Sequence, residues 1–238
     1  MLSQPLIAPL NWLHHKTLSF LSMTIDVKIC GLVSTEMLDV AIDAGAAYGG
    51  LVFEPRSVRD VSIEQAARLT QHSGGRIKMV TLFVNGSDEL IETVRARVQP
   101  DMIQMHGDEC PEMVARVRKM TGLPVIKAIG VRNLDDAKSA RLYEDVADLI
   151  LFDTKLSDDP QHVLPGGSGK AFDWHLVKNV LKCPFMLAGG LNAQNVATAI
   201  EQSGAASVDV SSAVESQPGC KDGGLIREFI AAAHAPLG

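Results

Sequence analysis

Eight short runs of apolar and β-branched residues recur along the chain, and each is followed by a stretch with helical periodicity. This alternation limits the fold more than any other feature. The strand-like runs cover 25–29, 50–53, 77–84, 102–105, 125–128, 149–152, 185–188 and 207–210. The intervening helices carry their own punctuation. Ser34 is placed to cap a helix with Met37, Leu38, Ala41 and Ile42 on one face and Gly45 at its end. Ser87 precedes Leu90, Ile91, Val94 and Val98 in the same way. Asn192 precedes Val196, Ala199 and Ile200, with Gly204 closing the segment. Further helical stretches are expected at 62–71, 110–120, 134–143, 174–181 and 223–233.

Strands separated by helices pair in parallel, because a helix is the usual crossover connection. Eight such units in one chain of 238 residues predict an α/β fold, a single (β/α)8 TIM barrel, over an open doubly wound sheet. The barrel is expected to occupy 23–238 as the catalytic domain, with 1–22 a short, poorly structured N-terminal extension. That extension is broken by Pro5, Pro9, His14, His15 and Lys16, so it reads neither as a secretory signal nor as a membrane span. The His14–His15 pair reads as part of a solvated tail rather than a metal site.

The net charge is −6, and no Lys/Arg cluster is present, which argues against a nucleic-acid partner. The four cysteines show no C-x-x-C spacing. That argues against structural zinc and against a disulfide scaffold, and it suits a reduced, cytoplasmic compartment.

Barrels of this type place their chemistry at the C-terminal ends of the strands. The polar residues there are Cys30 after the first strand, Glu54, Arg56 and Arg59 after the second, and Asn85 after the third. His106 follows the fourth, Asp153 the sixth, and Ser211 and Ser212 the eighth. Three glycine- or serine-rich stretches follow the last three strands: GGSGKAFDW (166–174), AGGLNAQNV (188–196) and DVSSAVESQPG (209–219). The first is not a P-loop, since Leu164 and Ala171 break the pattern. Together, at the expected end of a barrel, the three suit a phosphate held by backbone N–H groups. The connection from 154 to 170 is long for a compact domain, which marks it as functional.

KICG (28–31), QMHGDE (104–109), LFDTK (151–155), GGSGKAFDW, LAGGLNAQNV and VDVSSAVES-PG-KD occur in this order. The set resembles the phosphoribosylanthranilate isomerases of tryptophan biosynthesis, over the chain from Thr24 to its C-terminal helix. The resemblance implies an Amadori rearrangement of N-(5-phosphoribosyl)anthranilate to 1-(2-carboxyphenylamino)-1-deoxyribulose 5-phosphate, without metal or organic cofactor. It implies a small phosphosugar–anthranilate substrate, no nucleic-acid or membrane partner, and a monomer or homodimer. Cys30 matches the family's general base and Asp153 its general acid. Arg59 matches the arginine that holds the anthranilate carboxylate, with Arg56 as the alternative because the 55–59 turn departs from the family pattern. Gly167, Ser168, Gly169, Gly189, Gly190, Ser211 and Ser212 match the phosphate cradle, and His106 is expected to support substrate binding. Ala213 stands where the family usually has glycine.

The chemistry suits these residue types. Opening a furanose ring needs a proton on the ring oxygen, and Asp153 ends an apolar strand where desolvation favours the protonated acid. The Schiff-base cation acidifies C2′–H, so a thiolate is a sufficient base. Lys28 lies two residues before Cys30 and shares its face of the strand. Asp209 lies two residues before Ser211 on the strand that closes the barrel beside the first. An internal Lys28–Asp209 ion pair is therefore expected, its cation aiding ionisation of Cys30. Lys127 is expected to pair structurally. Two other readings use the same loops: a histidine-pathway phosphosugar barrel, which would offer an aspartate in place of Cys30, and a non-catalytic phosphate sensor.

Overall fold

The computed structural model describes residues 25–155 and 171–235. The expected extension at 1–22 and most of the long connection, including Gly167, Ser168 and Gly169, lie outside the described residues.

Eight strands form the closed barrel: β1 (Asp26–Cys30), β2 (Tyr48–Phe53), β3 (Lys78–Phe83), β4 (Met102–Met105), β5 (Val125–Val131), β6 (Leu149–Thr154), β7 (Phe185–Leu187) and β8 (Ser207–Val210). Every neighbouring pair is parallel, and β8 closes onto β1 with Lys28 opposite Asp209. Both faces of such a sheet are covered, so its strands are apolar almost throughout. Residues of one parity point into the barrel, where Val80, Met102, Ile126, Leu151 and Met186 form a single inner cluster. The other parity packs under the helices with Val27, Ile29, Ile103, Ile129, Phe152 and Val208.

The helices are α1 (Thr35–Asp43), α2 (Ile63–Ser73), α3 (Asp88–Val98), α4 (Pro111–Thr121), α5 (Leu134–Ser139), α6 (Val196–Ser203) and α7 (Gly223–Ala233). The side chains of Ser34, Ser62 and Ser87 accept the N–H groups of Met37, Gln65 and Leu90, satisfying donors that a helix start leaves open. Gly74, Gly122 and Gly204 close α2, α4 and α6 in the left-handed conformation.

Three local expectations are corrected. The stretch 174–181 is only a 3-10 turn, Trp174–Val177, because Lys178 is extended and Asn179 takes a positive φ of 59°. The stretch 134–143 divides into α5 and a 3-10 turn at Ala140–Tyr143. Asn192 is not the cap of α6. Asn195 precedes the helix, while the Asn192 carboxamide oxygen accepts from the N–H groups of Gln194 and Asn195 in the turn before it.

A small antiparallel hairpin, β9 (Glu215–Gln217) and β10 (Cys220–Lys221), was not expected. It rises from the end of β8 beside the barrel mouth. Gly219 turns it with a φ of 83°, at a point where a Cβ would lie 2.8 Å from the carbonyl oxygen of Val58.

The expected ion pair is present: Lys28 Nζ stands 3.0 Å from Asp209 Oδ1, with side-chain exposures of 0% and 8%. Lys127 is also paired as expected, at 2.8 Å from Glu109 Oε2. It points away from the barrel interior, lies over the Tyr143 ring, and donates to the carbonyl of Gly107 at 2.6 Å. Glu109 in turn accepts the N–H groups of Asn85 and Gly107. This knot ties together the turns that follow β3 and β4, and the second of those turns carries His106.

Candidate active site

The C-terminal strand ends surround one cavity of about 210 Å³. Cys30 and Asp209 line it from β1 and β8, Asp153 from β6 and His106 from the end of β4. Arg56, Val58 and Arg59 enter from the turn after β2, while Gly189, Gly190, Ser211 and Ser212 come from the turns after β7 and β8. Val52, Leu82, Val84 and Leu191 supply an apolar wall.

Cys30 is buried under this mouth. Burial pushes its thiol above the ordinary value, with the ammonium groups of Lys28 and Lys221 pulling the other way. The expectation that Lys28 eases ionisation is thus right in sign, but desolvation outweighs it. Lys28 itself is held charged: burial opposes its charge, and Asp209 and the Cys30 sulfur more than offset that cost. Gly50 on β2 makes room for this arrangement. A Cβ there would lie 3.1 Å from Cys30 Sγ and 3.2 Å from Lys28 Nζ. Gly50→Ala is expected to lower kcat roughly tenfold by displacing the thiol, a result read from steady-state rates beside a thermal melt that shows the fold retained.

The residue after Cys30 answers a different need. Gly31 has a φ of 79°, and a Cβ on it would lie 2.6 Å from Arg59 Cδ. Glycine therefore serves both the turn and the close passage of the Arg59 side chain. Glu215 of the hairpin anchors Arg59, accepting from Nε at 2.7 Å and from one terminal nitrogen at 2.8 Å. The same carboxylate takes Lys221 Nζ at 2.6 Å. Burial works against the charge on Glu215, but hydrogen bonds from Arg59 and Lys221 outweigh it and hold the carboxyl below its ordinary value. Arg59 keeps its other terminal nitrogen outside this bidentate pair. Arg56 is held instead by Glu54, 2.7 Å away, with its side chain 60% exposed.

Asp153 Oδ1 accepts the Thr154 N–H at 2.7 Å, and Oδ2 lies 3.2 Å from His106 Nε2. Gly189 is required here, since a Cβ on it would sit 2.9 Å from Asp153 Oδ1. Ser211 donates its hydroxyl to the Cys30 carbonyl at 3.1 Å, and its own carbonyl accepts from Lys221 at 2.9 Å. The hairpin thus braces the strand ends of β1 and β8 as well as Arg59. Among the described residues no His, Cys, Asp or Glu cluster has the arrangement of a metal site. None of their helices is long and apolar enough to cross a membrane.

Sequence reasoning missed Gly50, Gln104, Glu215 and Lys221. Only the Pro218–Gly219 pair, a turn signal between Glu215 and Lys221, hinted at the hairpin.

Fold and cavity together define a (β/α)8 barrel enzyme. A sequence model described as N-(5'phosphoribosyl)anthranilate (PRA) isomerase matches residues 27–232, and the chain belongs to that family. It is 47% identical over 213 residues to the N-(5'-phosphoribosyl)anthranilate isomerase of Paramagnetospirillum magneticum, covering 89% of this chain and 98% of that one. The Paracoccus denitrificans enzyme of the same name is 48% identical over 217 residues, covering 90% and 100%. Among solved structures, the Thermotoga maritima phosphoribosyl anthranilate isomerase superposes with a TM-score of 0.79 at 38% identity, covering 88% and 98%. A phosphoribosyl anthranilate isomerase in complex with reduced 1-(o-carboxyphenylamino)-1-deoxyribulose 5-phosphate gives a TM-score of 0.76 at 35% identity, with the same coverage.

Proposed function

We propose that the cavity converts N-(5-phosphoribosyl)anthranilate to 1-(2-carboxyphenylamino)-1-deoxyribulose 5-phosphate, with Asp153 as general acid and Cys30 as general base. One observation carries this reading: the two side chains enter the same cavity from β6 and β1, different sectors of the barrel. An acid at the ring oxygen and a base at C2′ need that separation.

Asp153 delivers a proton to the furanose oxygen as the C1′–O bond breaks, and the anthranilate nitrogen forms the Schiff base. The resulting cation acidifies C2′–H and favours a thiolate nearby, which offsets the burial that raises the Cys30 thiol. Cys30 takes the C2′ proton. The enolamine then becomes the ketone by gaining a proton at C1′ and losing the one on the C2′ hydroxyl. Arg59 binds the anthranilate carboxylate through the nitrogen that Glu215 leaves free, and Val52, Leu82 and Val84 face the aromatic ring. The phosphate lies at Gly189, Gly190, Ser211 and Ser212, where backbone donors suit an anion in a chain of net charge −6. Gly167, Ser168 and Gly169 complete that cradle in this reading.

The test follows the fluorescence of phosphoribosylanthranilate after the enzyme is added. Rapid enzyme-dependent decay is expected. A folded protein that binds inorganic phosphate yet leaves the fluorescence unchanged would exclude the proposed reaction.

A further inference from the structure

Asp153 does not stand alone at the end of β6. The Thr154 N–H donates to its Oδ1 at 2.7 Å, and His106 Nε2 lies 3.2 Å from its Oδ2. His106, the proton-carrying ring nearest the carboxyl, is placed to share the proton that Asp153 delivers.

The residue behind His106 decides whether it can serve. Gln104 points into the barrel and is completely buried. Its amide nitrogen lies 2.8 Å from His106 Nδ1. In that orientation the amide donates to Nδ1, so the only ring proton is on Nε2. Passing that proton to Asp153 would leave an imidazolate, which is not accessible near neutral pH. The same orientation leaves Gln104 Oε1 buried with no hydrogen-bond partner among the described residues. The oxygen and nitrogen of a carboxamide are close in size, and the hydrogen-bond network decides which end points where. With the amide turned over, Oε1 accepts from an Nδ1–H. His106 can then carry a second proton on Nε2 and give it up as a neutral ring.

We infer that Gln104 presents Oε1 to His106 Nδ1 in the working enzyme, and that His106 and Asp153 together hold the proton delivered to the sugar. The inference rests on the reading of Asp153 as the acid. As the C1′–O bond breaks, its electron pair stays on the ring oxygen, which takes a proton from Asp153. That proton comes to the carboxylate from His106, whose Nε2–H bond breaks as Asp153 takes it up and passes it on. Asp153 begins and ends ionised, and His106 ends neutral with Nδ1–H on Gln104. Solvent reloads the pair. Gln104 is a positioning residue, since it acts through the imidazole.

Other charges also face the pair. Asp209 from β8 is near enough to influence both groups, and Lys28 from β1 partly neutralises it. Cys30, Glu54, Arg56 and Arg59 share the cavity wall, while β3 and β7 contribute the uncharged Leu82, Val84, Ala188 and Gly189. Lys127 of β5 is turned outward onto Glu109. None of these contacts Nδ1, so its protonation reports on Gln104.

Nitrogen-15 NMR of the histidine rings in the intact enzyme reads this directly, with His106→Asn to assign the signal. Nδ1 protonated throughout the active pH range, with Nε2 titrating, is the expected result. A bare Nδ1 would overturn the inference. In kinetics, Gln104→Glu offers only acceptors, and is expected to move the alkaline limb of kcat up by about one pH unit. Gln104→Met offers none, and should move that limb down and lower kcat about tenfold. Identical profiles for all three proteins would also overturn the inference. Asp153→Asn separates the two readings: parent-like turnover there rejects Asp153 as the acid whatever the ring spectrum shows.

Discussion

Replacing Cys30 by alanine is expected to lower kcat by about 10²–10⁴-fold, and Asp153→Asn by a similar factor, with little change in KM for either. Each change deletes a proton-transfer group and leaves the remaining walls of the cavity in place. Asparagine retains an oxygen to accept the Thr154 N–H, so the strand end keeps its geometry and only the acid is lost. Alanine at position 30 removes a single sulfur from a buried site and costs the fold about 1 kcal/mol. Stopped-flow decay of substrate fluorescence, with thermal melts alongside, separates lost chemistry from lost structure. The pH dependence carries a sign as well. Burial raises the Cys30 thiol above its ordinary value, so the thiol is neutral in the free enzyme near pH 7. In the parent this thiol should therefore titrate above the range of an ordinary thiol, near ~8.5, as read from thiolate absorbance in the ultraviolet. That high-pH absorbance change should be absent from Cys30→Ala.

The second large effect concerns stability. Lys28→Met is expected to destabilise the barrel by about 3–5 kcal/mol, because it strands the Asp209 carboxylate in the interior. In a chain of this length that lowers Tm by roughly 10 °C. Adding Asp209→Leu should restore most of the loss, since a buried ion pair replaced by apolar groups is often close to neutral. Activity should not return with it, because Asp209 also lines the cavity. The pH window follows from Lys28, whose folded value is raised above 10.5. Its contribution is fully present below the unfolded value and is lost only as the pH rises through the folded one. Burial already raises Asp209, and loss of Lys28 raises it further, so the difference between parent and variant should also shrink as the pH falls and the stranded carboxyl protonates. Calorimetry of the three proteins measures all of this.

The barrel was legible in the sequence because parallel strands covered on both faces read as apolar runs, and because serine caps and glycine stops mark the helices between them. Strand parity was enough to place Lys28 against Asp209. It could not show that burial would outweigh Lys28 at Cys30, since desolvation depends on everything packed around the thiol. The hairpin of Glu215–Gln217 and Cys220–Lys221 escaped notice because strands of three and two residues are too short for alternation to register. The anchoring of Arg59 escaped with it, as its partner Glu215 lies 156 residues away. Gln104 was hidden for another reason: one polar residue in an apolar strand gives no sign of what it faces. The helix expected at 174–181 failed because local apolar spacing says nothing of the positive φ at Asn179.

Substrate deuterated at C2′ tests the assigned roles most directly. In single-turnover decay, a Cys30→Ser variant has a weakened base, so proton abstraction limits its rate and deuterium should slow it several-fold. An Asp153→Asn variant has lost the acid, so ring opening limits and deuterium should leave its rate unchanged. The reverse pattern, or equal isotope effects in the two variants, would contradict Cys30 as the base and Asp153 as the acid.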